Sequence, residues 1–208
     1  MQQQQHAAYQ RRMVPSSKVI KVGPWGGTGG SPWDDGPHRG IRSITVMYCR
    51  YLESMKVEYI DRSGYPVLGE KHGGGAQRSH SETVELDYPG EFVTGVRGWY
   101  GVAHRGSTPV VRSLTFETSQ GKEHGPFGDE DGGVPFAYPM EGGVVVGFAG
   151  RSGWHLDAVG LYVAALRPET LCDVVQERGL AAYRCFVYGG GGAQHHHQAK
   201  NPFEWCYK

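Results

Sequence analysis

From Lys18 onward the chain is built of short apolar runs rich in β-branched and aromatic residues, each bounded by Gly, Pro, Asp or Ser. The pattern predicts strands at Val19–Val22, Ile41–Tyr48, Met55–Ile60, Thr83–Leu86, Phe92–Val96, Val110–Phe116, Val144–Phe148 and Val159–Ala164. No run before Arg167 has helical spacing long enough to compete. The fold class is therefore all-β. Beyond Arg167 the spacing of Leu171, Val174, Val175, Leu180 and Tyr183 predicts a short helix opened by Pro168 and weakened by Gly179, followed by a flexible tail. At the other end Met1 to Ser16 is Gln-rich and aperiodic, which predicts a disordered lead. The expected division is thus 1–16 lead, 17–166 domain and 167–208 extension.

A repeat refines the picture. GPWGGTGGSPW at Gly23–Trp33 returns as GPFGDEDGGVPF at Gly125–Phe136, and a degenerate copy, HGGGAQRS, occupies His72–Ser79. Three glycine loops at a period of roughly 50 residues imply three similar units of about four strands each. A unit with one apolar face cannot bury it alone, so three sheets around a common core, a β-prism, suit the pattern; periodicity alone leaves a β-sandwich open.

The segment GFAGRSGWHLDAVGLYVAAL, Gly147–Leu166, carries the clearest candidate chemistry. Its two apolar runs predict strands, so Gly153-Trp154-His155-Leu156-Asp157 between them must reverse the chain. Such a loop offers successive backbone N–H donors beside one carboxylate, the equipment for holding adjacent hydroxyl groups.

Composition removes several other functions. Lys+Arg and Asp+Glu number 21 each, so no basic field exists for a nucleic acid. No apolar stretch approaches the ~20 residues of a membrane span. The N-terminus has no secretory apolar run, and Asn201, the only asparagine, precedes a proline and cannot be N-glycosylated, so a cytosolic, or cytosolic and nuclear, chain is expected. The 33 glycines lack any collagen period and read as turn residues. Cys49, Cys172, Cys185 and Cys206 show no paired spacing, which excludes a disulfide scaffold for the main domain.

Taken together, GFAGRSGWHLDAVGLYV, the opening KVGPWGGTGGSPWDDG at Lys21–Gly36 and VRSLTFETSQGKEHGPFG at Val111–Gly128 resemble the jacalin-related plant lectins, over roughly Ser17 to Leu166. The resemblance implies a β-prism of three Greek-key four-stranded sheets with pseudo-threefold symmetry, and a hexose held between a GxxxD loop and the first glycine loop without chemical change. Carried over by residue, it implies that Asp157 accepts from two hydroxyls, that the N–H groups of Trp154 and His155 donate, that Gly153 opens the loop, and that Gly30 donates from the opposite side. Trp99 or Tyr100 is expected as an aromatic wall. Mannose- or glucose-type glycans are the implied partners, with a homodimer or other homo-oligomer as the implied assembly, no nucleic acid, no membrane and no cofactor.

The resemblance also bears on sugar choice and site number. In its galactose-preferring branch the chain is cut before the glycine equivalent to Gly30; here Gly27–Ser31 is continuous, which implies an uncharged Gly30 N–H and a preference for an equatorial fourth hydroxyl. Some relatives carry a second GxxxD. The matching stretch here, Cys49-Arg50-Tyr51-Leu52-Glu53, lacks both the glycine and the aspartate, so one site per chain is expected.

Plainer readings exist for each signal. Alone, Gly153–Asp157 is a hairpin turn whose aspartate serves the backbone. Gly150-Arg151-Ser152-Gly153 approaches a nucleophile elbow, but Trp154 stands where its last glycine belongs and no helix follows; Gly27-Thr28-Gly29 starts a dinucleotide fingerprint that Pro32 breaks. Neither supports an enzyme. His195–His197 with Cys185 and Cys206 offers zinc-type ligands at a spacing that fits no standard finger, and no metal is expected.

Overall fold

A computed structural model describes residues 13–75, 79–139 and 142–169. The expected C-terminal helix and the His195–His197 group lie outside them, as do residues 1–12 of the lead. Among the described residues every regular element is a strand, and no helix is long and apolar enough to cross a membrane.

Twelve strands form three antiparallel sheets of four. The first joins β1 (Met13–Gly26), β12 (Leu156–Pro168), β11 (Gly143–Ser152) and β2 (Ser31–Asp34) in that order. The second runs β5 (Pro66–Gly73), β4 (Leu52–Ile60), β3 (Gly40–Tyr48), β6 (His80–Glu85). The third runs β10 (Val134–Pro139), β7 (Val93–Val102), β8 (Pro109–Thr118), β9 (Glu123–Gly128). Each sheet has a central hairpin flanked by two strands that follow one another in the chain, and in the first sheet those flanking strands come from the opposite end of the sequence. The three glycine loops of the repeat are the β1–β2, β5–β6 and β9–β10 connections. This is the expected β-prism, and its strands begin at Met13, inside the stretch expected to be a disordered lead.

All six central strands coincide with the apolar runs of the sequence. The four strands the pattern missed, β2, β5, β9 and β10, are edges: SPWD, PVLGEKHG, EHGPFG and VPFAYP each contain proline, glycine or both. An edge strand bonds on one side only and buries little, so it tolerates prolines and needs no sustained apolar run.

The inward faces meet in one core. Ile44, Leu52 and Met55 of the second sheet, Leu114 and Phe116 of the third, and Phe148, Leu156 and Leu161 of the first are all fully buried in it. Phe116 packs on Phe127 at 6.1 Å and on Phe148 at 6.3 Å between ring centroids, tying the third sheet to the first. Each such side chain contributes about 1.5–3 kcal/mol relative to exposure, so the core fixes where the sheets end and hence where their loops meet. Leu156, at the root of the β11–β12 loop, is one of these anchors.

Candidate functional site

The β11–β12 hairpin does not pair evenly at its tip. Arg151 pairs with Ala158 and Ser152 with Leu156, leaving Asp157 as the extra residue of a β-bulge. A bulge re-aims the side chain it inserts. Asp157 is consequently turned toward the β1–β2 glycine loop, where it is only 7% exposed and its Oδ2 has no hydrogen-bond donor in the protein. Burial pushes its carboxyl above the usual carboxylate range, and the nearby His155, the Gly153 N–H and Arg151 offset only part of that.

The glycine loop is clamped onto this carboxylate from both sides. Gly27 N–H donates to the Asp157 carbonyl at 2.9 Å. Arg151 donates from Nε to the Gly29 carbonyl at 2.8 Å and from Nη2 to the Gly30 carbonyl at 2.7 Å. With both carbonyls held by the guanidinium, Gly30 adopts φ +58° and its Cα lies against the carboxylate; a Cβ there would stand 2.6 Å from Asp157 Oδ2 and collide with Ser152. A Cβ on Gly29 would collide with Oδ1 and lie 2.8 Å from Thr108 Oγ1, so Thr108 of the β7–β8 loop borders the same spot.

At the tip, Gly153 N–H donates to the His155 carbonyl at 3.0 Å, closing the turn. Among the described residues no turn or loop backbone hydrogen bond uses the N–H of Gly30, Trp154 or His155. The Trp154 side chain is 87% exposed. The result is an acidic acceptor flanked by unengaged peptide donors: the arrangement that holds a pair of neighbouring hydroxyls.

Five of the seven predicted site residues, Gly30, Gly153, Trp154, His155 and Asp157, come together here. Trp99 and Tyr100 do not. Strand β7 continues through both to Val102, so they belong to the third sheet: Trp99 pairs with Ser113 and lines a hollow of about 390 Å³ with Arg97, Glu130 and Pro135, while Tyr100 packs against the core and Phe136. Arg151 and Thr108 are the contributors that sequence reasoning missed. Arg151 acts through backbone carbonyls that only the folded register brings near, and Thr108 has no motif.

The bulge recurs at the same place in all three sheets. Glu53 is the extra residue between Leu52 and Ser54, opposite Tyr48 and Met47; Arg112 is the extra residue between Val111 and Ser113, opposite Tyr100 and Trp99. Each bulge is faced by a glycine at positive φ, Gly26 (138°), Gly73 (103°) and Gly128 (92°), packed against the bulged residue's own carbonyl. Asp157, Glu53 and Arg112, 7%, 7% and 9% exposed, therefore occupy equivalent corners of one pseudo-threefold frame.

A family model described as a jacalin-like lectin domain matches residues 22–162. The chain belongs to the jacalin-like lectin family. Jacalin-related lectin 19 of Arabidopsis thaliana is 42% identical over 161 residues, covering 77% of this chain and 88% of that one. A galactose-specific lectin of Morus indica is 36% identical over 152 residues, 71% and 94% of the two chains. Among solved structures, a mannose-specific jacalin-related lectin from Morus nigra in complex with mannose matches with a TM-score of 0.67 and 41% identity, covering 72% of this chain and 96% of that one. Carbohydrate binding is thus this lectin's activity. The relatives differ in the sugar named for them, galactose for the Morus indica lectin and mannose for the Morus nigra one.

Proposed function

We propose that this lectin binds mannose- or glucose-type residues of glycans at the Asp157 corner, without modifying them. The observation that carries the reading is Asp157 Oδ2, a buried acceptor with no donor in the protein, set against the Gly29–Gly30 backbone: such a group completes its hydrogen bonds with a ligand or with water. Asp157 accepts from two adjacent hydroxyls, the Trp154 and His155 N–H groups donate to the ring oxygen and its neighbour, and Gly30 N–H donates from across the pocket. Thr108 borders the Gly29 side of the pocket.

Sugar choice follows from the same geometry. The chain runs unbroken through Gly27–Ser31, and Arg151 fixes the Gly29 and Gly30 carbonyls, so Gly30 presents a neutral N–H in a fixed place. An equatorial fourth hydroxyl reaches both Gly30 and Asp157. An axial one, as in galactose, points away and leaves polar groups unpaired, at a cost of about 1–3 kcal/mol. Partners under this reading are glycans or glycoproteins carrying such residues.

Competition of methyl mannoside, methyl glucoside and methyl galactoside in a calorimetric titration tests both parts. The expected outcome is about tenfold or greater preference for the first two over galactoside. Stronger binding of galactoside would overturn the assigned specificity, and no binding of any sugar by the intact chain would overturn the site.

A further inference from the structure

The third corner has Arg112 in place of a carboxylate, and its side chain passes Gly133 of its own glycine loop to reach a residue of the second sheet. The guanidinium carbon lies 5.1 Å from the centroid of the Tyr51 ring, and Nη1 donates to the Val102 carbonyl at 3.3 Å. Tyr51 comes from the β3–β4 tip of the second sheet. Its hydroxyl donates to the Ala103 carbonyl in the β7–β8 loop at 2.5 Å. Its ring meets the His155 imidazole at 5.9 Å and 68°, an edge-on contact. One half-buried side chain thus joins the hairpin tips of all three sheets.

The β11–β12 tip needs such a support. Its first large side chain, Trp154, is in solvent, and Gly74 of the β5–β6 loop lies against the Trp154 backbone, not its ring. His155 Nδ1 is buried without a protein partner, so packing on Tyr51, not a hydrogen bond at that nitrogen, sets the imidazole plane. Of the two peptide N–H groups assigned to the sugar, one is His155's own and the other, of Trp154, lies one peptide unit before it.

We propose that Tyr51 is a positioning residue of the sugar site: held by Arg112 and Ala103, its ring fixes the His155 imidazole and with it the direction of the Trp154 and His155 N–H groups. The inference rests on the sugar-binding reading above. It assigns the degenerate second loop and the arginine of the third corner a shared task, bracing a site to which neither contributes a ligand contact. A donor misdirected by a fraction of an ångström loses most of its hydrogen bond, so a support at one remove is felt in affinity.

The test uses the full chain with Tyr51→Leu and Tyr51→Phe. Three quantities are measured: affinity for methyl mannoside, the thermal midpoint, and the amide exchange rates of Trp154 and His155 in the sugar-free protein. The Leu variant removes the edge contact and is expected to bind about five- to tenfold more weakly and to exchange those two amides faster. Tyr51→Phe keeps the ring, loses only the Ala103 bond, and is expected to restore affinity to within about twofold and exchange to near the parent rate. Normalising against the thermal midpoint separates this from global loosening, which would speed exchange in all sheets together. Unchanged affinity and unchanged exchange in Tyr51→Leu overturns the proposal, as does an equal loss in Tyr51→Phe. If the parent chain binds no sugar, the sugar reading falls by itself; equal Trp154 and His155 exchange in parent and Leu variant then rejects the positioning role as well, and faster exchange upholds the bracing of the tip.

Discussion

Two buried carboxylates at different places in the prism are treated in opposite ways. Glu91, in the connection before β7, is fully buried and fully served: Thr118 Oγ1 donates to Oε1 at 2.8 Å, and Lys122 Nζ and the Asp87 N–H donate to Oε2 at 3.0 and 3.2 Å. Burial alone would raise its pKa, yet these donors outweigh it and hold the carboxyl below the usual range. Asp157 is buried to a similar degree, keeps one oxygen without a protein donor, and sits above the usual range. A carboxylate whose hydrogen bonds are completed inside the protein stabilises the fold; one left incomplete beside exposed peptide donors is available to a ligand. Stability and binding should therefore come apart when the two are changed separately.

The largest separation is expected from Asp157→Ala. Losing two charged hydrogen bonds of about 1.5–3 kcal/mol each weakens methyl mannoside binding by roughly 100-fold or more, past detection for a millimolar ligand. The thermal midpoint should hold or rise, because an ionised group whose pKa folding has raised opposes folding at neutral pH. A calorimetric titration paired with a melting curve reads both, and a fallen midpoint with retained affinity would reverse the roles assigned to the two carboxylates.

Glu91→Ala is the mirror experiment. It strands Thr118 and Lys122, at about 3 kcal/mol, the lower end for a broken buried pair because the half-exposed Lys122 ammonium rehydrates. The midpoint falls by roughly 6–12 °C, while sugar affinity at 20 °C stays within about twofold. A loss of affinity well below the melting transition would show that the far connection is coupled to the sugar corner.

The smallest effect is a difference in pH windows. Binding requires ionised Asp157, so affinity is lost as pH falls through its raised pKa, above the ~3.9 of an ordinary aspartate. Glu91, whose folded pKa is depressed, contributes stability that is present above its unfolded value of ~4.3 and is lost only as pH falls through the lower folded value. On acidification the lectin should release sugar before this contribution to stability is spent. Titrations of affinity and of melting midpoint between about pH 3 and 7 check the order; coincident transitions would mean that sugar release reports unfolding.

What could be read from the chain alone follows the same divide between complete and incomplete parts. Central strands such as β8 and β12 announce themselves because they are buried on the core side and bonded on both edges. The glycine loops repeat in sequence because three backbone approaches repeat in space, at Gly26, Gly73 and Gly128. The bulge was not legible: Asp157 and Glu53 are carboxylates but Arg112 is a cation, and only register shows that all three are equivalent. For the same reason Trp99 and Tyr100 were placed at the wrong corner. An aromatic pair before a glycine looks like a loop in sequence, whereas the pairing of β7 with β8 carries it on as strand to Val102.

The first sheet is closed by the two extremes of the domain: β1 and β2 lie beside β11 and β12, and Met13 pairs with Pro168. Synthesis on the ribosome is vectorial, so Gly30 emerges early and waits for Asp157 through nearly the whole of translation of the domain, while the second and third sheets gain all their strands in between. If the pocket proposed at Asp157 is the sugar site, a growing chain has no such pocket to offer at any earlier stage, and ligand capture is a property of the finished domain.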